Sequence, residues 1–311
     1  MRELTIAGRR ISDDDPCYVI SELGHNHGGS IETAVAMIKA AAQCGADSVK
    51  LQKRDNATLY SAAMRALPYQ NEHSFGATYG AHRDALEFNE SQYQRCLSRA
   101  AAYGVSCFAT AFDEASADFL MQLRVPAIKV HSGGLTDEPL LKHVASLGVP
   151  IILSTGGGDD HDIYKAVTLL ASRTTQFALL HCTAAYPTRE FTELNLRCIM
   201  TLRDRYPETV IGWSSHASSI AMDLIAYAFG ARIIERHFTL NRASKGTDHA
   251  WSVEPAGLRK LVRDLRRARE AVGDGQKVFY PSEYGPISKM RRSYLQGAWQ
   301  IATQAELGIH A

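Results

Sequence analysis

The chain lacks the features of a membrane, secreted or nucleic-acid-binding protein. Its 311 residues contain no apolar run long enough to cross a bilayer, and the opening MRELTIAGRR does not resemble a signal peptide. The 34 basic and 33 acidic residues leave a net charge of +1, which favours neither nucleic acid nor a membrane surface. None of the six cysteines belongs to a Cys-x-x-Cys pair. We therefore expect a reduced cytoplasmic protein that binds any anion through a local cluster.

A dinucleotide-binding signature is also missing, because no Gly-x-Gly-x-x-Gly follows the first apolar run. What is present is an alternation of short apolar runs with amphipathic segments of helical spacing. The runs occupy residues 17–22, 47–52, 105–112, 127–132, 150–155, 177–182, 210–215 and 231–238. Such alternation predicts a parallel sheet with right-handed crossovers. Eight units favour an α/β fold closed into a (β/α)8 TIM barrel over an open sheet.

Two segments interrupt this alternation. Residues 53–90 form a long, polar, turn-rich insertion after the second strand, on the side where insertions usually shape the active site of a barrel. Residues 276–311 are typical of a linker or extension, so we place the barrel itself at residues 1–275.

Polar side chains end nearly every predicted strand. In a parallel barrel these positions face the catalytic mouth. They are Glu22, Lys50, Gln52, Thr110, Lys129, Ser132, Ser154, Thr155, His181, Tyr186, Ser214, His216, Glu235 and His237.

Lys50 and Lys129 lie within apolar strands, where an unpaired ammonium is costly. Each either forms a structural ion pair with a carboxylate such as Glu22 or Glu235, or binds a phosphate or carboxylate ligand. His216 and His237 end adjacent strands and could share one divalent metal, with Glu22 or water completing the shell, or act as hydrogen-bonding or proton-transferring groups. The glycine-rich residues 154–162 lack a P-loop lysine and indicate a turn and helix cap.

Several stretches together resemble the sialic acid synthase family, whose enzymes condense phosphoenolpyruvate (PEP) with N-acetylmannosamine and related aldoses. The resemblance covers roughly residues 15–295. It rests on ISELGHNHGGSIETA, AAQCGADSVKLQ, FATAFDEASADFL, VPAIKVHSGGLTDEPLLKHVASLGVPIILSTGG, LLHCTAAYP, NLRCIMTLRDRYPETVIGWSSHA and FGARIIERHFTLNRASKGTDHAWSVEP.

The resemblance implies a role for each matching residue. The implied PEP-binding positions are Lys50, Thr110, Lys129, Ser132, Ser154 and Ser214. His216 and His237 match the ligands of a divalent Mn²⁺ or Mg²⁺ ion, and Gln52, Tyr186 and Asp248 lie at acceptor positions. The catalytic candidates are Glu22, Lys50, Lys129 and Glu235. The product would be a 3-deoxy-2-ulosonic acid plus phosphate, made by a homodimer from small-molecule substrates.

The sequence also departs from the family pattern. Ser215 replaces the usual aspartate of Ser-Asp-His, Ala184 replaces an asparagine of the PEP pocket, and Gly134 replaces an aspartate. The antifreeze-like domain found in many members is missing from this chain, so the acceptor could be a different aldehyde. Alternatives are a related PEP-using aldolase, an enolpyruvyl-transfer enzyme and a barrel that binds PEP or a sugar acid without turnover.

The string His25-Asn26-His27 invites a metal-site interpretation. Because the resemblance places the metal ligands elsewhere, we assign Asn26 and His27 to loop geometry and Ser30 to a helix N-cap. His25 has no assigned role.

Overall fold

The computed structural model describes residues 2–295, 298–301 and 303. The chain divides into two compact units, with the boundary between Glu270 and Ala271. No helix in the described part of the chain is both long and apolar enough to span a bilayer.

The first unit opens with an antiparallel hairpin of β1 (Glu3–Ile6) and β2 (Arg9–Ser12). Ala7 and Gly8 connect the strands with φ angles of +50° and +77°, the left-handed backbone that suits the twist of a tight hairpin. This hairpin was not predicted from the sequence. The available signal for a strand was the placement of Leu4 and Ile6 at alternate positions before the turn. Both side chains are buried in the structure.

Eight further strands close into a parallel barrel, which confirms the predicted (β/α)8 fold. In chain order they are β3 (Tyr18–Glu22), β4 (Ser48–Lys53), β5 (Ser106–Ala111), β6 (Ile128–Val130), β7 (Ile151–Ser154), β8 (Phe177–Cys182), β9 (Val210–Ser215) and β10 (Ile233–His237). The barrel closes through β10, which pairs with both β3 and β9. Its strands are buried almost throughout, as expected where helices cover a parallel sheet.

Helices surround the barrel and also occupy the insertion. They are α1 (Ile31–Gln43), α2 (Asn56–Leu59), α3 (Ala62–Ala66), α4 (Tyr79–Asp84), α5 (Glu90–Ala102), α6 (Glu114–Gln122), α7 (Glu138–Ser146), α8 (Asp160–Ala171), α9 (Cys198–Arg205), α10 (Ala221–Ala228) and α11 (Pro255–Val272). The short helices α2, α3 and α4 belong to the insertion after β4.

Side-chain caps fix where the helices begin, and two were predicted. The Ser30 side chain accepts a hydrogen bond from the Thr33 backbone at the start of α1, which confirms it as an N-cap. The Asp159 side chain accepts from the backbone of His161 and Asp162 at the start of α8. The glycine-rich segment before α8 is therefore a turn and cap, as predicted.

The second unit contains α12 (Tyr284–Ser288) and an antiparallel pair of strands, β11 (Arg292–Leu295) and β12 (Ala298–Ile301). Tyr294 and Trp299 lie opposite one another in this pair, with ring centroids 5.8 Å apart.

Candidate active site

A cavity of about 260 Å³ lies at the carboxyl ends of the barrel strands. All the candidate catalytic, binding and metal-ligating residues line it: Glu22, Lys50, Gln52, Thr110, Lys129, Ser132, Ser154, Tyr186, Ser214, His216, Glu235, His237 and Asp248. Strand alternation explains part of this convergence. Lys50 and Gln52 are two residues apart on β4 and so share one face, whereas Val49 and Leu51 pack into the core.

Lys50 lies at the centre of an ionic group. Its Nζ forms an ion pair with Glu22, donates a hydrogen bond to Thr110 Oγ1 at 2.7 Å and lies 3.8 Å from Glu235 Oε1. The structural ion pair considered for this lysine is thus present, in a cavity that also holds space for a ligand. Burial raises the pKa of Glu235, but Lys50 and Lys129 lower it below the ordinary glutamate range, so this carboxylate stays charged in the cavity.

Lys129 has different surroundings. Its Nζ donates to Ser154 Oγ at 2.6 Å and to the Val130 carbonyl at 3.0 Å, and no carboxylate forms an ion pair with it within the described ranges. Burial lowers the pKa of this ammonium. A buried cation with no carboxylate in ion-pair contact among the described residues, beside a hydroxyl, is an arrangement that favours an anionic ligand.

His216 and His237 face each other across the strand ends, with ring centroids 5.4 Å apart. His216 Nδ1 lies 3.1 Å from the Thr183 carbonyl, so Nδ1 carries the proton and Nε2 keeps its lone pair. Burial lowers the pKa of His216 to about 4, which keeps the ring neutral at physiological pH. His237 Nδ1 is buried without a hydrogen-bond partner, 3.8 Å from Asp248 Oδ2.

These two imidazoles fit a divalent metal, because both are buried and His216 offers a lone pair in a fixed tautomer. Among the residues that the structure describes, no group of three or more His, Cys, Asp or Glu side chains forms a metal cluster. A metal held by the two histidines would therefore complete its shell with water or substrate oxygens, as Mg²⁺ commonly does.

The cavity is also lined by seven residues that were not assigned to the site from the sequence: His25, Arg54, Arg83, Phe112, His131, Cys182 and Thr247. The available signals were the position of Arg54 directly after a strand and of Arg83 within the insertion. The conformation of the loop decides whether such side chains point into the cavity, and loop conformation cannot be predicted from a periodic sequence pattern.

The loop after β3 separates its two histidines. His27 is buried against Phe88, with ring centroids 4.0 Å apart, and the Asn26 side chain donates to the Phe238 carbonyl at 2.8 Å. Both residues fix the loop, as predicted. His25, in contrast, lines the cavity.

The departure at Ser215 lies behind the cavity wall. Ser215 Oγ accepts a hydrogen bond from Arg236 Nη1 at 3.0 Å, and Asp223 Oδ1 lies 3.5 Å from the same nitrogen. Trp213 donates to the same aspartate oxygen at 3.0 Å. The carboxylate that meets the charge of Arg236 therefore comes from α10, while Ser214 faces the cavity and donates to Glu235 at 3.1 Å.

Comparison with known proteins gives consistent matches. Residues 37–277 match the NeuB family. N-acetylneuraminate-9-phosphate synthase of Homo sapiens is 36% identical over 92% of this chain and 79% of that protein. N,N'-diacetyllegionaminic acid synthase of Legionella pneumophila is 34% identical over 89% of this chain and 79% of that protein. A crystal structure of N-acetylneuraminic acid synthetase from Leptospira borgpetersenii in complex with citrate superimposes with a TM-score of 0.80 at 32% identity, covering 92% of this chain and 95% of that one.

Proposed function

This chain belongs to the NeuB family, and from that premise we propose that it condenses PEP with an aldose to give a sialic-acid-like 3-deoxy-2-ulosonic acid and phosphate. The observation that carries the proposal is Lys129, a buried ammonium without a carboxylate partner in the part of the chain described, in a cavity that also holds paired histidines and carboxylates.

The PEP end of the site is formed by the two lysines and four hydroxyls. Lys129 and Ser154 on β6 and β7 bind one anionic group of PEP, with Ser132 from the following turn beside them. Lys50 and Thr110 on β4 and β5 bind the other, and Ser214 extends the hydroxyl lining. Ammonium and hydroxyl groups fixed by packing orient the substrate without further ordering, which lowers the entropic cost of reaction.

The reaction requires two bonds to form and one to break. C3 of PEP attacks the aldehyde carbon of the acceptor, and water adds at C2. The resulting tetrahedral intermediate then expels phosphate by cleavage of its C2–O bond, which leaves a 2-keto acid. We assign the proton transfers to the carboxylates of Glu22 and Glu235, which flank the Lys50 ammonium. Gln52 donates to Glu22 Oε1 at 2.8 Å and holds that carboxylate in place.

His216 and His237 would hold the divalent cation, Mn²⁺ or Mg²⁺. When bound, such an ion supplies Lewis acidity to the aldehyde oxygen. The Tyr186 ring lies against His216, tilted by 42° with ring centroids 4.2 Å apart. We place the acceptor between this pair, Gln52 and Asp248, which line the same cavity. The names of the relatives indicate products with and without a phosphate, and we propose as acceptor either an N-acetylmannosamine-like aldose or another aldehyde. The cytoplasmic location and the homodimer remain predictions.

Phosphate release from PEP tests the proposal. We expect release only when an aldehyde and a divalent cation are both present, and loss of release in Lys129→Ala. Lys142→Ala is the matched control, because Lys142 is an exposed lysine paired with Glu138 on α7. Full turnover by Lys129→Ala would show that the site is wrong. PEP binding without phosphate release for any aldehyde would favour a non-catalytic barrel.

A further inference from the structure

One wall of the cavity carries planar side chains just beyond the residues assigned to PEP. Side chains two residues apart on a strand share a face. One such step leads from Thr110 on β5 to Phe112, and another leads from Lys129 on β6 to His131. Thr110 and Lys129 are partners in the strand register, and both Phe112 and His131 line the cavity. The two rings therefore form a layer beyond that pair, at the carboxyl ends of the strands.

Stacking fixes the plane of the His131 ring. The imidazole is stacked on Phe112, with ring centroids 4.1 Å apart and planes 21° apart. The Arg54 guanidinium lies 3.5 Å from the centroid of the same phenyl ring. Both groups are too close to that centroid to share one face of the ring, so Phe112 lies between them. The imidazole is therefore held in one orientation before a ligand arrives.

A backbone contact fixes which nitrogen of His131 carries the proton. His131 Nδ1 lies 3.1 Å from the Gly133 backbone nitrogen, which can only donate, so Nδ1 is the acceptor. The proton of the neutral ring is therefore on Nε2, which forms no hydrogen bond with any residue that the structure describes. Burial lowers the pKa of His131 to about 3, and the nearby Lys129 ammonium adds to this effect, so the ring stays neutral at physiological pH.

Lys129 and His131 each have an N–H group that no described residue accepts from. An ammonium has three N–H groups, and two of those on Lys129 donate to Ser154 Oγ at 2.6 Å and to the Val130 carbonyl at 3.0 Å. None of the described carboxylates forms an ion pair with either residue. An anionic group on the cavity side of β6 would accept both from the third ammonium N–H and from His131 Nε2.

We propose that His131 donates a hydrogen bond from Nε2 to an oxygen of the PEP group that Lys129 and Ser154 bind. The inference rests on the proposed function and adds an uncharged donor to the PEP end of the site. A neutral donor orients the anion without adding to the positive charge that Lys50 and Lys129 already supply. Because stacking and the Gly133 contact hold the ring, its orientation costs no further entropy when PEP binds.

The test removes the donor while keeping the ring. His131→Phe retains a planar ring against Phe112 and lacks the N–H, whereas His131→Gln loses the ring and retains an N–H donor on a side chain of similar reach. His161→Phe is the control, because His161 is an exposed histidine on α8, outside the cavity. PEP affinity is measured by calorimetric titration in the presence of Mn²⁺ without an acceptor. KM for PEP and KM for the aldose that gives the fastest phosphate release are then measured separately.

We expect His131→Phe to weaken PEP binding by about 10- to 100-fold, because a hydrogen bond to a charged group is lost. Its KM for the aldose should stay within about twofold of the native value. His131→Gln should fall between the native chain and His131→Phe, because the donor is kept without the stacked, fixed ring. His161→Phe should match the native chain in every measurement.

The ring itself gives an independent readout. In protein labelled with ¹⁵N at its histidines, the Nε2 resonance of His131 is identified by its absence from the spectrum of His131→Phe. We expect that resonance to show a protonated Nε2 in the free protein and to shift when PEP is added. An unchanged resonance at saturating PEP would overturn the proposed contact.

Native PEP affinity in His131→Phe would overturn this inference and leave the proposed function intact. Equal increases in KM for PEP and for the aldose would also overturn it, by showing that the ring only shapes the cavity wall. Phosphate release by the native chain with no aldose at all would overturn the proposed function, while the PEP titration would still decide the role of His131. Absence of PEP binding to the native chain would overturn both.

Discussion

The two lysines of the site differ in what balances their charge. Lys50 has Glu22 as an ion-pair partner and Glu235 nearby, whereas Lys129 contacts only a hydroxyl and a carbonyl among the residues described. A ligand at Lys50 competes with the carboxylate paired to that lysine, whereas Lys129 has no carboxylate in ion-pair contact among the residues described. Lys129 should therefore contribute more to PEP affinity than Lys50.

Replacement of Lys129 by methionine tests this difference at the residue scale. Methionine keeps the length of the side chain and removes its charge. We expect kcat/KM for PEP to fall by about 100-fold, mainly through KM, because a charge-assisted contact to the substrate is lost. The fold should be retained, since a buried ammonium is replaced by an apolar group. Unchanged steady-state kinetics would contradict the assignment, and Lys142→Met is the control.

Residues on strands could be predicted from the sequence, whereas those on loops could not. A charged side chain on a buried strand of a parallel barrel is costly unless it reaches the polar mouth of the barrel. The sequence positions of Lys50, Lys129 and Glu235 are therefore enough to indicate an inward-facing site. The direction in which the Arg54 and Arg83 side chains point depends on the path of the insertion. That path is not encoded in the two-residue repeat of strands or the 3.6-residue repeat of helices. His25 has no assigned role in the sequence analysis for the same reason.

At the scale of the elements, buried ionic contacts hold the strand ends that carry the two histidines. Arg236 on β10 is 1% exposed and Asp223 on α10 is fully buried, and Ser215 on β9 contributes no charge to the pair. Arg236 also donates to the Ala217 carbonyl at 2.5 Å, next to His216. The network ties together the segments that follow Ser214 and precede His237.

Removal of Asp223 should therefore be strongly destabilising. We expect Asp223→Ala to lower the free energy of unfolding by about 3–5 kcal/mol, because Arg236 would remain buried without a counter-ion. The double variant Ser215→Asp/Asp223→Ala should recover part of this loss, since it places a carboxylate beside the same guanidinium. Urea denaturation followed by circular dichroism measures both variants against Asp204→Ala, an exposed site on α9. Equal stability of native chain and Asp223→Ala would refute the argument.

The N-terminal hairpin is attached to the barrel through Asp13. This carboxylate lies 2.7 Å from Arg203 Nη1, 3.1 Å from Arg2 Nη1 and 3.2 Å from Arg232 Nε. Burial raises the pKa of Asp13, but hydrogen bonds from Arg203 and Arg2 outweigh burial and lower it to about 2.

A carboxyl group whose pKa is lower in the folded protein than in the unfolded chain stabilises the fold at pH values above its unfolded-state pKa. That stabilisation is lost as the pH falls through the folded-state pKa. Asp13 should thus contribute to stability above about pH 4 and progressively less down to pH 2. We expect Asp13→Asn to be less stable than the native chain at pH 7, with the difference shrinking toward pH 2. Thermal melts across this range measure the effect. A difference that grows as the pH falls would have the wrong sign.

The order of elements was more predictable than their number. The eight barrel strands followed from alternating apolar runs and helical segments, whose periods are set by backbone geometry. The hairpin β1–β2 was missed because a four-residue strand is too short to show a clear alternation of apolar and polar residues. The short helices of the insertion depend on contacts such as the Tyr60 and Tyr79 rings, 5.2 Å apart, which are tertiary.

At the scale of the molecule, the barrel brings the two lysines and the paired histidines into one cavity at the carboxyl ends of its strands, with His216 following β9 and His237 ending β10. This arrangement suits two anionic or polar substrates that must meet at a defined distance. Orientation of both would supply much of the rate enhancement.

Metal binding gives a prediction for the whole site. We expect activity to be lost after chelation and restored by Mn²⁺. His237→Ala should weaken Mn²⁺ binding by at least about tenfold, because it removes one of the two proposed protein ligands. Calorimetric titration of Mn²⁺ into the PEP-free protein measures this directly. His143→Ala, at an exposed histidine paired with Asp118, should bind Mn²⁺ as the native chain does. Identical affinities for native chain and His237→Ala would remove His237 from the metal site.

The most direct test of the central claim is the mass of the product formed from PEP, a divalent cation and a panel of aldoses. Condensation predicts a product with the mass of the acceptor plus that of pyruvic acid, together with one equivalent of phosphate. Enolpyruvyl transfer would give a product lighter by one water, and simple hydrolysis would give pyruvate with the acceptor unchanged. Either of these masses, or no phosphate at all, would contradict the proposed condensation.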